Sequence, residues 1–84
     1  MIDQVIARAE ARIAASAGEL VALSDWMAAN PEPGYQEHGA VARLTAALRG
    51  AGYAVRSGVA GLATAFHARP APRPGPRIGL IAEY

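Results

Sequence analysis

Arg77-Ile-Gly-Leu-Ile-Ala-Glu-Tyr84 is the stretch whose reading decides the fold. It is a short apolar run, and when extended it puts Ile78, Leu80, Ile81 and Ala82 on both faces. A strand apolar on both faces is a central strand, covered by helices on each side. In open α/β sheets, ligands and chemistry gather beyond the carboxyl ends of such strands. The segments before it supply two helices, enough to cover one face. The expectation is an α/β fold of which these residues form the opening part, incomplete by itself.

Outward from that run, Arg69-Pro-Ala-Pro-Arg-Pro-Gly-Pro76 excludes regular structure, because four prolines remove four backbone donors. Residues 69–76 read as the loose tip of a hairpin. Strands are expected at about 53–56, 62–68 and 77–83, with Val59-Ala-Gly61 as a turn between the first two. Residues from about 37 to 51 read as a helix with an apolar line of Val41, Leu44 and Leu48, stopped by Gly50 and Gly52. Glu37 and Arg49 suit the two ends of its dipole. Asn30-Pro-Glu-Pro-Gly34 is a rigid turn. Before it, Ile2, Val5, Ile6, Ala9, Ile13, Leu20, Leu23 and Met27 recur at spacings of three and four, which predicts one helix over about 3–29. Asp3 is its expected N-cap and Gly18 its weakest point.

Composition restricts the classes of function. A chain of 84 residues holds one small domain at most. It has no cysteine, so disulfides and thiolate metal sites are excluded. All eight basic residues are Arg, and the net charge of +1 argues against nucleic acid and acidic membranes as partners. No window of 18 uncharged apolar residues exists, and the N-terminus lacks the basic region of a signal peptide. A cytoplasmic protein is expected.

Candidate chemistry is sparse. His38 and His67 are distant in sequence and fall on different elements, so they read as rim histidines and not as metal ligands. Glu32 and Glu37 flank Tyr35, but they straddle a turn and a helix start, where local capping favours Glu. Ser24, Asp25 and Ser57 carry no nucleophile motif. Arg43, Arg49 and Arg56 are the candidate basic patch, and Trp26 and Tyr35 read as packing residues at the helix–turn junction. The proline run has a second reading as a polyproline ligand for an aromatic-lined groove.

Three stretches together resemble a known family: Leu23-Ser-Asp-Trp-Met-Ala-Ala-Asn-Pro-Glu-Pro-Gly-Tyr-Gln-Glu-His38, Leu44-Thr-Ala-Ala-Leu-Arg-Gly-Ala-Gly-Tyr-Ala-Val55, and Gly58-Val-Ala-Gly-Leu-Ala-Thr-Ala-Phe66. In order and spacing they are similar to the start of the dinuclear zinc amidohydrolases. That metallopeptidase family includes aminoacylases, carboxypeptidases and aminobenzoyl-glutamate hydrolases. Ile81-Ala-Glu-Tyr84 looks most like the aminobenzoyl-glutamate hydrolase subgroup. Asn30 stands where the family usually has His, and Pro33 where it usually has Leu; both lie in the turn.

The resemblance implies a zinc-exopeptidase-like α/β/α catalytic domain, of which residues 1–84 would be the N-terminal fragment. It implies two divalent metals, expected to be zinc, and hydrolysis of an amide bond in an N-acyl amino acid or peptide-like small molecule. It admits a homodimer for the full-length protein. The family's metal ligands and general base come from segments later than Tyr84, including an Asp-Ala-Leu-Pro continuation and a His-Ala-Cys-Gly-His motif. No catalytic, cofactor-binding or metal role therefore transfers to any position here, and the fragment is expected to be inactive. Trp26 and Tyr35 transfer as packing anchors, and Ile78 to Tyr84 as the strand that delivers the site. The alternative, from a different class, is a small stand-alone interaction module that uses Pro70–Pro76 or an exposed strand edge.

Overall fold

A computed structural model describes residues 1–83. Two helices, α1 (Ile2–Ala29) and α2 (His38–Gly50), precede a two-stranded antiparallel sheet of β1 (Ala54–Ser57) and β2 (Phe66–Arg69). A 3-10 turn, Val59–Gly61, lies between the strands. Helix α1 runs unbroken through Gly18, so the glycine's entropic cost is tolerated without a kink. Its N-cap is Met1, not Asp3, which lies in the first turn where its charge still suits the dipole. At the other end the Asn30 backbone N–H and side-chain Nδ2 both donate to the Trp26 carbonyl, at 3.0 and 2.9 Å. Pro31 follows and prevents continuation.

The end of α2 is closed by a pair of backbone bonds. The Tyr53 N–H donates to the Leu48 carbonyl and the Gly52 N–H to the Arg49 carbonyl, each at 3.0 Å. This is the Schellman arrangement, and it requires a left-handed residue at Gly52, whose φ is +94°. The reversal sends the chain directly into β1.

In the hairpin Ala54 pairs with Arg69, Val55 with Ala68, Arg56 with His67 and Ser57 with Phe66. Strand alternation puts half-buried Val55, Phe66 and Ala68 on one face. Both strands contact α2, and α2 contacts α1. The core is small: Ala40, Val41 and Thr45 are buried, and all three lie on α2. The Thr45 hydroxyl is satisfied by donating to the Val41 carbonyl at 2.7 Å.

Two expectations about strands are corrected. The second strand is not 62–68 but Phe66–Arg69, because Leu62 to Ala65 turn instead, with the Ala65 N–H donating to the Leu62 carbonyl at 3.1 Å. Residues 77–83 form no strand, and Ile78, Leu80 and Ile81 are exposed. Extended backbone is stabilised only by a ladder with a neighbour, and none is formed there. The mixed α/β character holds with two strands rather than three; Tyr84 lies outside the described residues.

The packing leaves much surface open. The chain exposes 7152 Å², against about 4,700 Å² for a compact monomer of this mass. Its radius of gyration is 14.8 Å, against roughly 12 Å for a compact domain of this length. Helix α1 accounts for much of this. At about 1.5 Å per residue its 28 residues span nearly the 44 Å long axis. Only its C-terminal part carries half-buried Leu23, Trp26 and Met27, while Ile2, Val5, Ile6, Ile13 and Leu20 are exposed. Among the described helices none is long and apolar enough to cross a membrane.

Two outcomes follow for solution measurements. Gly52→Ala forces a Cβ into the left-handed region and is expected to lower stability by about 1–2 kcal/mol, read from denaturant midpoints. Amides of Ile78 to Ala82 should exchange with solvent as fast as an unstructured peptide; protection there matching that of α2 would contradict the undocked tail.

Candidate functional site

The turn between the helices gathers the chain's most organised polar groups. Glu37 occupies the N-cap position of α2 but makes no side-chain cap bond. Capping is done from further upstream, within the turn. Glu32 Oε2 accepts from the Gly39 N–H at 2.7 Å and Oε1 from the Ala40 N–H at 2.8 Å. One carboxylate thus satisfies two of the free donors at the positive end of the helix. These two backbone bonds, to Gly39 and then Ala40, hold the Glu32 carboxyl below its ordinary value against an opposing desolvation, with a lesser contribution from nearby His38.

Glu37 is thereby released for other partners. Its Oε2 accepts from the Tyr35 N–H at 3.2 Å, and its Oε1 accepts from the Thr64 hydroxyl at 3.0 Å. The second bond joins the turn to the loop just before β2, across 27 residues of sequence. The turn is closed as well by the Gln36 N–H donating to the Pro33 carbonyl at 3.0 Å.

Trp26 fills the space behind this clamp. A Cβ built at Gly39 would lie 2.6 Å from the tip of the Trp26 ring and 3.2 Å from Glu32 Oε2, so glycine is required by close approach. The Arg43 guanidinium covers the ring at 3.8 Å from its centroid, a cation–π contact that fixes the indole from α2. Trp26 therefore acts as the packing anchor that its place at the junction predicts. Tyr35 does not: it is 76% exposed and sits at φ +66°. The turn needs a left-handed residue at that place, and this geometry points the phenol ring outward.

The arrangement is structural in its chemistry. It holds carboxylates on backbone donors and on one hydroxyl, that of Thr64. Among the described residues no three His, Cys, Asp or Glu side chains are grouped to hold a metal ion. His38 begins α2 and His67 lies on β2 opposite Arg56, so the two histidines are not brought together. The described residues do not fit a dinuclear metal centre. Of the candidate basic residues, Arg43 is engaged on Trp26 and Arg49 sits in the last turn of α2; Arg56 is separate from both, on β1. The reach of Glu32 has no signal in the sequence, because a cap is sought next to its helix while this one acts across a turn.

Comparison with protein-family models, with curated proteins and with solved structures finds no match to this chain.

The clamp makes two predictions. Because the folded Glu32 carboxyl is depressed, its contribution is complete above the ordinary carboxylate value of 4.5 and is lost as pH falls through the folded value. Urea midpoints should therefore drop on acidification below about pH 4.5 in the native chain, and Glu32→Gln should flatten that drop. Equal acid sensitivity in both proteins would show that Glu32 is not the group responsible. Gly39→Ala is expected to cost about 1–3 kcal/mol through overpacking against the fixed indole, and to shift Trp26 fluorescence as the Arg43 stack is displaced.

Proposed function

We propose that residues 1–84 are the opening segment of the catalytic domain of a metal-dependent amidohydrolase. The whole protein then hydrolyses the amide bond of an N-acyl amino acid or peptide-like small molecule with two divalent metals, expected to be zinc, in the cytoplasm. The reading rests on the resemblance of the three stretches quoted above, and one structural observation supports it furthest. The apolar stripe of α1 from Ile2 to Leu20 and the apolar run Ile78–Ile81 are both exposed, in a chain with about half again the surface of a compact monomer. A larger α/β/α domain covers both: later helices pack on α1, and residues 77–83 enter a sheet as its third strand. In this reading the segment is scaffold. The clamp at Glu32 and Glu37 fixes the hairpin against the helices, and the strand leads to metal ligands contributed by later segments.

A second reading, a small interaction module, is favoured by the exposure of every residue from Arg69 to Glu83. An exposed strand edge or the proline run is then the contact surface.

The coding sequence beyond Tyr84 separates the two. The amidohydrolase reading expects an Asp-Ala-Leu-Pro continuation and a His-containing motif soon after it, whereas a stop codon immediately after Tyr84 would leave a truncated pseudogene or a module. The protein from the complete frame should hydrolyse N-acetyl amino acids, lose that activity on chelation and regain it with zinc. The 84-residue chain alone should bind no zinc stoichiometrically by calorimetry.

A further inference from the structure

The small net charge conceals a strong division along the chain. Asp3, Glu10, Glu19, Asp25, Glu32 and Glu37 all precede α2, whereas His38 to Ala82 contains six arginines, two histidines and no carboxylate. Part of this cationic half converges on the face of the hairpin opposite to α2. Arg56 stands directly across the ladder from His67, and Arg69 lies two residues further along the same face. Side chains directly opposite on antiparallel strands have their Cβ atoms about 4.5–5.5 Å apart, and diagonal neighbours remain within reach of a long side chain. Neither arginine has a carboxylate opposite it on the ladder to serve as a counter-charge.

The structure leaves room for one. Ala54, the partner of Arg69, fills little of the space, and a hollow of about 460 Å³ opens among Ala54, Val55, Arg56, Val59, His67 and Arg69. No carboxylate lines it. Guanidinium groups present planar forks of donors that match oxyanions, and imidazole adds a further donor. We infer that the outer face of the β1–β2 hairpin is an anion site, taking a compact oxyanion of the phosphate class between Arg56, His67 and Arg69. The inference is independent of the amidohydrolase reading, since it requires only the hairpin register.

The test is a titration of the full chain with inorganic phosphate at constant pH. It is followed by NMR at the Nε–H signals of Arg56 and Arg69 and the ring signals of His67, with sodium chloride at matched ionic strength as the comparison. Saturable shifts confined to these three residues are expected with phosphate and not with chloride. Arg56→Gln and Arg69→Gln should each weaken binding roughly ten-fold, the loss of one charge-assisted hydrogen bond. Arg8→Gln, on the far helix, should leave it unchanged. Equal shifts with chloride, non-saturating shifts or an equal loss in Arg8→Gln would overturn the site. So would spectra in which the Arg56–His67 pairing is absent, because the site exists only in that register.

Discussion

The bidentate hold of the Glu32 carboxylate on the Gly39 and Ala40 amides is the constraint on which the other contacts depend. It places the first turn of α2 against the turn that leaves α1. It also releases the residue at the cap position, Glu37, to bind Tyr35 and Thr64. Through Thr64 the loop entering β2 is tied to the same turn, and through Gly39 the Trp26 ring of α1 is brought onto α2. Two helices and a hairpin with very few buried apolar side chains are thus held in register by directional bonds around one corner. In a chain this short hydrophobic burial alone leaves little margin, so such a corner has a large share in specifying the arrangement.

The parts of the fold legible in the sequence are those encoded by neighbours. The three-and-four spacing of Ile2, Ile6, Ala9 and Ile13 describes α1, and Gly52 two residues past Gly50 marks the end of α2, because these signals act within one or two turns of chain. Legibility fails where a partner is remote. Ile78 to Ile81 has the composition of a buried strand, yet a strand is a relationship with another strand, and among the described residues the run has none. Tyr35 reads as an anchor by its type, whereas its backbone sign turns it outward. Glu32 reads as a local cap, which is right in kind, but its reach to Gly39 and Ala40 crosses a turn whose geometry no spacing rule contains. The candidate site is legible only in part for the same reason: the pairing of Arg56 with His67 belongs to the hairpin register and not to either segment.

The energetic character of the molecule is uneven. The corner, α2 and the hairpin are cross-tied, while the first turns of α1 and residues 70–83 are exposed throughout. Helical segments of this kind without tertiary support are marginal in water, even with good helix formers. Stability measured at the corner and at the chain's outer parts is therefore expected to differ, and a single global value describes neither.

The length of α1 has a geometric consequence. From Trp26 to Ile2 the helix extends about 36 Å at 1.5 Å per residue, and its position relative to α2 is fixed near one end by the indole between Gly39 and Arg43. It is a long arm on a short bearing. A rotation of about 5° at that bearing displaces the far end by roughly 3 Å, most of a side-chain contact distance. The close approach at Gly39 thus bears on the aim of an apolar surface near the opposite end of the molecule.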